Sequence, residues 1–304
     1  MKRFLSICLA ALVCSGSAFA CNIAEDQTRA QIADYVRIGL ACVDTPPDGF
    51  RFDETVEQAF ISKMNAERER KGLHALKLRE ELRPAARFQS LDMGMNEFFA
   101  HQSPDGRRAA ARIAAFDRTL LAQSTGENIA VFGPAKCYDQ NDNQVSCFNL
   151  PGFKLPSATD VAEDLHQKLM DSEGHRANIL SEDFTHTAVG VARTDSGFYV
   201  TQLFANPVGT LTAPMSTAFE VNGALNLTPD LGGWRVAHYE VIDSDGDRLE
   251  LNTDRLKRIS PGELTLVVRG ERKSEDERGG RTYIVTEWLN LSGPSFTLRA
   301  AKGS

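Results

Sequence analysis

Two histidines and one glutamate are the residues of this chain best suited to chemistry, because each lies beside turn-forming residues, where side chains face solvent. His101 precedes a Ser-Pro-Asp-Gly turn, Glu127 lies in Gly-Glu-Asn, and His175 lies in Gly-His-Arg. Two neutral imidazoles and a carboxylate are a three-ligand set for Zn²⁺, with a fourth position left for water. Such a site can supply a hydroxide nucleophile near neutral pH.

The same three side chains fit other interpretations. They could bind a divalent metal without chemistry, or hold a cleft together through hydrogen bonds. A His–Glu pair could also orient a general base, but a nucleophile is then required. Ser103 is the nearest, and its Ser-Pro-Asp-Gly setting is typical of a plain turn. The motifs Gly-x-Ser-x-Gly and His-Glu-x-x-His are absent from the sequence. We therefore expect a polar site more than a catalytic one.

Other polar residues are weaker candidates. Glu173 adjoins His175 and is either a second acidic member of the site or a solvated residue in a helix-terminal turn. The segment from Asp243 to Asp247 invites a Ca²⁺ interpretation, but its glycine is misplaced for an EF-hand, so a turn is expected. His186 either faces the cleft or lies on the surface, and we favour the surface. Structural or surface positions are expected for the other candidates: His74 and His166 on the surface, His238 in a strand, Arg68 and Arg176 in ion pairs or hydrogen bonds, and Asn128 fixing the backbone near Glu127.

The elements that must position these residues can be predicted from periodicity. Apolar residues recur at helical spacing in three sets: Val56, Phe60 and Met64; Phe88, Leu91, Met95 and Phe98; and Val161, Leu165 and Leu169. Ser157 and Asp160 precede the third set as a capping box. Alternating residues on both sides of Asp195-Ser196-Gly197 then predict a β-hairpin. Helices followed by an antiparallel sheet indicate an α+β fold.

The pattern changes after Asn206-Pro207. Short β-rich runs separated by Gly- and Asp-containing turns predict an all-β domain over residues 215–300. The polar segment from Gly133 to Pro156 is expected to be a long loop pinned by a disulfide.

Residues 1–20 have the features of a signal peptide. Lys2 and Arg3 precede an apolar run, and Ala18-Phe19-Ala20 ends it with a cleavage pattern. The chain is therefore expected to be exported, to the periplasm or the extracellular space. No later segment is apolar over the ~18 residues that a membrane helix needs. The net charge of −7 argues against a nucleic-acid partner.

An exported chain would keep four cysteines after cleavage. An even number in an oxidising compartment favours two disulfides over a lipid on Cys21, which would leave one thiol unpaired. Connectivity does not follow from the sequence, and the local expectation is Cys21–Cys42 and Cys137–Cys147.

Several ordered motifs between about residues 56 and 206 resemble the bacterial branch of the CAP superfamily (cysteine-rich secretory, antigen 5 and pathogenesis-related proteins, or SCP domains). They are Asn65-Ala66-Glu67-Arg68, Gly72-Leu73, Ser90-Leu91-Asp92-Met93, the segments around His101, Glu127 and His175, and Tyr199-Val200-Thr201-Gln202. The resemblance implies a three-layer α-β-α sandwich with a cleft that presents two histidines and one or two acidic residues. Carried over by motif, these are His101, Glu127 and His175.

The chain departs from that family's commonest pattern at four positions. Tyr199 stands where animal and plant members have their second histidine. Glu173 replaces a proline, His186 replaces a glutamate, and Leu169 replaces a tryptophan.

The sequence thus predicts a signal peptide (1–20), an N-terminal helical arm (21–50), a CAP domain (51–206) and an all-β domain (215–300). Three classes of function stay open: a binding module for a small, lipidic or metal-bound ligand, a metal-dependent hydrolase at the envelope, and a structural or interaction protein. We favour the non-enzymatic binding module. Zinc is the one cofactor that the residues suggest, and the β domain is the expected contact for a protein partner.

Overall fold

The computed structural model describes residues 21, 31–133, 136–138, 144–146, 156–194, 197–221, 223–251 and 259–300. The predicted signal peptide and Cys147 lie outside the described residues, so the Cys137–Cys147 bridge stays a prediction. Within the described ranges no helix is long and apolar enough to cross a bilayer.

Six α-helices form in these ranges: α1 Ile32–Asp44, α2 Glu54–Arg70, α3 Arg83–Met95, α4 Ala109–Phe116, α5 Ala158–Asp171 and α6 Glu173–Ile179. The three helices predicted from periodicity are α2, α3 and α5, and Phe98 lies beyond the end of α3. The side chain of Asp53 caps α2, and Ser157 caps α5 by accepting from the amide of Asp160.

Thirteen strands accompany the helices: β1 Arg51–Phe52, β2 Lys77–Leu78, β3 Leu120–Phe132, β4 Lys136–Tyr138, β5 Gln144–Ser146, β6 His186–Arg193, β7 Phe198–Leu211, β8 Ala218–Glu220, β9 Pro229–Asp230, β10 Arg235–Ile242, β11 Arg248–Leu251, β12 Gly262–Arg278 and β13 Arg281–Arg299. The main sheet has the order β1-β6-β7-β3-β13-β12-β10-β11. The hairpin predicted around residues 195–197 is β6–β7.

Helices cover both faces of the first part of this sheet. On β6, Ala188 and Ala192 pack with α1, α3 and α4, whereas Val189 and Val191 pack with α2 and α5. This alternation follows from the two-residue period of a strand. Gly190 lets α3 approach, since a Cβ there would lie 2.2 Å from the amide nitrogen of Arg87. The α-β-α sandwich is therefore confirmed.

The helix of the predicted N-terminal arm packs into the core. Tyr35 of α1 is buried, and its ring centroid lies 5.5 Å from that of Phe88 and 5.5 Å from that of Phe116. A disulfide joins Cys21 to Cys42 at the end of this helix. The arm therefore completes one helical layer of the sandwich.

The C-terminal β region has its own core but shares the sheet. Leu264, Leu266, Leu291 and Phe296 belong to a cluster that also includes Leu121 of β3. Strand β13 joins the first part of the sheet where Ser292 pairs with Ala122. The all-β character of this region is confirmed, and the Asp243–Asp247 segment is a turn between β10 and β11 in which Asp243 accepts from two backbone amides.

Where the two regions divide stays a prediction, since β7 continues past the expected boundary at residue 206 to Leu211. The next exposed segment is 212–214. Contacts across the junction include an Arg107–Glu263 ion pair at 3.1 Å and a hydrogen bond of 2.7 Å from Arg118 to the carbonyl of Ser295.

His166 is a correction to the sequence analysis, which expected it to be exposed. It is 4% exposed on α5, with its ring centroid 6.5 Å from that of Phe60. Neither ring nitrogen has a hydrogen-bond partner among the described residues. Burial lowers the pKa of His166, while Glu67 and Glu163 oppose this effect and Lys63 and Arg70 add to it. His74 is exposed and His238 lies in β10, both as expected.

We predict that His166 makes the native state sensitive to acid. Because its folded pKa lies below the unfolded value of about 6.5, the native state binds fewer protons, and stability falls as pH drops below that value. The loss is at most about 1.4 kcal/mol per pH unit. His166→Leu should remove this slope and raise stability near neutral pH by about 1 kcal/mol, because an unpaired buried polar group disappears.

The measurement is urea unfolding from pH 5 to pH 7.5, with the exposed-residue variant His74→Gln as control. Burial also raises the pKa of Asp92 to about 6, which acts in the opposite direction, so the difference between variant and parent is the quantity to read. An unchanged slope in His166→Leu would contradict the prediction.

We also predict that the two regions stay associated after the chain is cut between them. A site-specific protease sequence inserted between Ala213 and Pro214, in an exposed segment, should be cleaved without unfolding. The fragments should co-elute in native size-exclusion chromatography and separate in urea, because the sheet and the ion pairs cross the junction. Separation without denaturant would instead support two independent domains at 51–206 and 215–300.

Candidate functional site

Three different elements carry the predicted site residues. His101 lies in the loop between α3 and α4, Glu127 lies within β3, and His175 lies in α6. Strand β3 lies next to β7 at the end of the first part of the sheet, and Glu127 is paired opposite Leu203 of β7. The sheet therefore presents the glutamate, and the loop and the short helix bring a histidine from either side.

His101 and Glu127 are in direct contact. The Nδ1 atom of His101 lies 2.8 Å from Oε1 of Glu127. The carboxylate is buried, whereas the imidazole is 50% exposed. Because an ionised carboxylate only accepts, Nδ1 is the donor, and Nε2 is the nitrogen free to accept in the neutral ring. Glu127 thus fixes both the orientation and the tautomer of His101.

Arg112 of α4 is the buried partner on the other side of Glu127. Its guanidinium donates to Oε2 of Glu127 at 2.6 Å. It also donates to the carbonyls of His101 and Arg107, at 3.1 and 2.8 Å, and to the hydroxyl of Ser103 at 3.1 Å. One side chain therefore neutralises the glutamate and shapes the loop that carries His101. The sequence analysis missed Arg112, whose signal was a lone arginine in an otherwise alanine-rich helix.

Ser103 is buried and has structural partners. Its hydroxyl donates to Oε1 of Gln89 at 2.9 Å, and the Gln89 amide donates to the carbonyl of Ala100 at 3.1 Å. The Ser-Pro-Asp-Gly turn closes as expected, with the amide of Gly106 donating to the carbonyl of Ser103 at 2.8 Å. Ser103 is therefore bound within the loop and does not face solvent as a nucleophile would.

A chain of amides ties α6 to β3. Asn128 donates to the carbonyl of His175 and to Gln202, each at 3.1 Å. Asn178 donates to the carbonyl of Glu127 at 3.2 Å and to the side chain of Asn128 at 2.9 Å. Asn128 thus holds α6 in place, while the backbone of Glu127 is fixed by Asn178, which sequence reasoning did not single out.

His175 is half-buried and lies within electrostatic reach of His101. Burial lowers the pKa of His175, and the charge of a protonated His101 lowers it further. His175 therefore favours its neutral form near neutral pH. Glu173 is exposed in the first turn of α6.

Asp92 of α3 is a buried acidic residue whose pKa is shifted. Burial raises its pKa to about 6, partly offset by a hydrogen bond of 2.6 Å from Asn96. Arg112 and Asp105 lie within electrostatic reach.

His186 and Tyr199, two of the positions at which the chain departs from the family pattern, have partners other than His101, Glu127 and His175. His186 is half-buried at the start of β6, where Nδ1 lies 2.9 Å from the hydroxyl of Thr185. It lines a cavity of about 280 Å³ with Arg79 and Asp230. Tyr199 is half-buried in β7, packed against the backbone at Gly94.

Two observations limit how His101, Glu127 and His175 could bind zinc. No group of three or more His, Cys, Asp or Glu side chains in the described part of the chain is arranged to hold a metal ion. Both carboxylate oxygens of Glu127 are already engaged, by His101 and by Arg112. The three-ligand set therefore does not fit as it stands, and His101 with His175 are the donors left for a metal.

Comparison with known proteins identifies the first part of the chain. Residues 61–204 match the model of the cysteine-rich secretory protein family, CAP. Residues 61–204 therefore form a CAP domain. Over 148 residues the CAP domain is 33% identical to the protein YkwD of Bacillus subtilis (strain 168), a match that covers 49% of this chain and 46% of the relative. The chain thus spans about half the length of that curated relative.

Two solved structures are similar to about half of this chain. An extracellular protein containing an SCP domain from Bacillus anthracis is 27% identical, covering 51% of this chain and 41% of that protein, with a TM-score of 0.37. An outer surface protein from Borrelia burgdorferi is 15% identical, covering 52% of this chain and 98% of that protein, with a TM-score of 0.39. Each of these matches covers about half of the chain.

We predict that Arg112 and Glu127 are strongly coupled in stability. Arg112→Met should lower the free energy of unfolding by about 3–5 kcal/mol, because it leaves a buried carboxylate without its partner. Arg112→Met combined with Glu127→Met should lose less than the two single variants together. Arg108→Met, at an exposed residue next to the same helix, should change stability by about 0.5 kcal/mol or less.

Urea denaturation of the four variants measures these differences. If Arg112→Met were no more destabilising than Arg108→Met, the pair would not be buried as the structure has it.

Proposed function

We propose that this protein is an exported, non-enzymatic binding module that takes a small ligand at His101, Glu127 and His175. This proposal rests on the hydrogen bonds that the Glu127 carboxylate makes. Its two oxygens are occupied by His101 and Arg112, so the carboxylate orients the imidazole and is not itself offered to a substrate. The exposed Nε2 face of His101 and the half-buried His175 are left for recognition.

Export is supported by two features of the N-terminal part of the chain. The first twenty residues have the charge and hydrophobicity of a signal peptide. The Cys21–Cys42 disulfide then starts at the first residue after the expected cleavage, in keeping with an oxidising compartment. Periplasm and extracellular space are equally compatible with both features.

The ligand chemistry follows from the two imidazoles. A neutral imidazole offers one donor and one acceptor and is a common ligand of Zn²⁺. His101 and His175 would hold the metal, and Glu127 would act behind His101, as a carboxylate does when it orients a metal-binding histidine. A bound metal would in turn supply a positive charge to an anionic group of the ligand. A small or lipidic molecule with such a group fits this proposal.

The hydrolase alternative has less support from the residues. Ser103 is bound in its loop, and a zinc-hydroxide mechanism would need a closed set of protein ligands that the described residues do not form. An interaction role is the remaining alternative, and it would tolerate loss of both histidines.

We predict that Zn²⁺ raises the melting temperature of the mature protein through His101 and His175. A metal that binds the native state stabilises it by RT ln(1 + [L]/Kd), about 2.7 kcal/mol at a hundredfold excess over Kd. His101→Ala with His175→Ala should abolish the shift and leave the fold intact, because both side chains are at least partly exposed. The shift should also weaken below about pH 6, where imidazoles protonate.

The matched control is His74→Ala with His238→Ala, which removes the same number of imidazoles elsewhere. A shift that survives the first pair would place the metal at other residues. A panel of ester and peptide substrates assayed with zinc separates the alternatives, since turnover lost with His101→Ala would replace the binding module by a metal-dependent hydrolase.

A further inference from the structure

The hairpin formed by β12 and β13 extends beyond the rest of the sheet. Strand β10 covers β12 only as far as the Arg235–Glu271 pair. From Arg272 to Glu287 the hairpin strands pair with each other alone among the described residues, and Gly279 and Gly280 make the turn with φ of +60° and +73°. An isolated two-stranded hairpin is marginally stable in water. We therefore expect the projecting part of this hairpin to be stabilised by a further contact.

The two edges of this projection differ in chemistry. On β13, Tyr283, Ile284, Val285 and Trp288 are 48%, 63%, 38% and 55% exposed, four of the seven large apolar residues exposed in the described ranges. The facing stretch of β12 is Lys-Ser-Glu-Asp-Glu-Arg, from residue 273 to 278. Charged side chains protect an edge strand against pairing, whereas an apolar, β-branched edge is a template for it. Both edges lack a strand partner among the described residues, and the edge of β13 is the less protected of the two.

No strand covers that edge in the described part of the chain. On this side β13 pairs at Ser292 with β3, and at residues 297–299 with β8. Between Arg281 and Leu291 the outward backbone groups have no strand partner among the described residues. Every second residue of an edge strand points its amide and carbonyl outward, so these groups are ready to pair.

We propose that two copies of this chain associate through antiparallel pairing of their β13 edges, centred on Ile284. In this register Tyr283 faces Val285 of the partner subunit, and Thr282 faces Thr286 of the partner subunit. Aromatic with β-branched and threonine with threonine are favourable cross-strand pairs. Because the pairing is two-fold symmetric, each of these contacts occurs twice.

Charge selects this register. Arg281 faces Glu287 of the partner subunit when Ile284 lies on the two-fold axis, and a shift of one or two residues in either direction loses that pair. Glu287 already accepts from Arg272 of its own hairpin at 2.8 Å, so it would bridge two arginines. Trp288 falls opposite Gly280 of the partner subunit, where an aromatic ring can cover the bare glycine backbone. Self-complementarity of charge and shape therefore favours a second copy as the occupant.

Sedimentation velocity of the full mature chain over a wide range of protein concentration tests the proposal. The parent should sediment as a reversible dimer. Val285→Lys places a charge on the β13 edge and should weaken dimerisation by about tenfold or more. Ser274→Lys is the matched control, since Ser274 is exposed at the same level of the hairpin, paired with Val285 on the charged edge, and should leave the dimer unchanged.

Charge reversal tests the register itself. Arg281→Glu and Glu287→Arg should each weaken the dimer, and the two changes combined in one chain should restore it, because each new pair is again of opposite charge. Circular dichroism of every variant shows whether the fold is retained.

A parent that is monomeric at all concentrations overturns the proposal. So does a dimer that responds equally to Val285→Lys and Ser274→Lys, or one that charge reversal does not rescue. Binding of the monomer to lipid vesicles through Trp288, without self-association, would assign the edge to a membrane surface instead. None of these measurements uses the His101 site, so they stand or fall separately from the proposed function.

Discussion

The buried ion pair between Arg112 and Glu127 is the interaction on which the rest of the site depends. Both side chains are almost completely buried, and removing either would leave an uncompensated charge inside the sandwich. Helix α4 must therefore pack with Arg112 facing β3, and the loop before it must close so that its carbonyls and Ser103 satisfy the remaining guanidinium donors. The orientation of His101 is a consequence of this core electrostatics.

Two more buried carboxylates connect the layers in the same way. Glu57 of α2 accepts two hydrogen bonds of 2.8 Å from Arg87 of α3 and one from the amide of Val191. Burial raises the pKa of Glu57, and the Arg87 hydrogen bonds oppose that rise. The carboxylate of Asp117 accepts a hydrogen bond of 2.6 Å from Nε of Arg79. The Arg272–Glu287 ion pair of the C-terminal hairpin is instead exposed and contributes little. Buried ion pairs thus connect the layers of the sandwich, whereas backbone pairing between β12 and β13 holds the hairpin together.

This difference explains what could be predicted from the sequence. Apolar periodicity found α2, α3 and α5 because each buries one stripe, and the turn residues around His101 and His175 indicated a polar site. Periodicity could not find Arg112 or His166, since a buried polar residue and a solvated one have the same sequence pattern until their partners are known. The shared sheet was also invisible, because β3 and β13 are joined by one register pair, Ser292 with Ala122, across a long stretch of chain.

Strand β3 serves both parts of the molecule. Its second half carries Glu127 and Asn128 to the site, while its first residues meet β13 and the C-terminal core through Leu121. The register of β3 against β7 is irregular between these two halves, at Leu121–Ala122 and again at Ala122–Ser124. A bulge changes the local twist and direction of a strand. One strand can therefore follow the helical sandwich at one end and the all-β region at the other, because its register against β7 changes between Leu121 and Ser124.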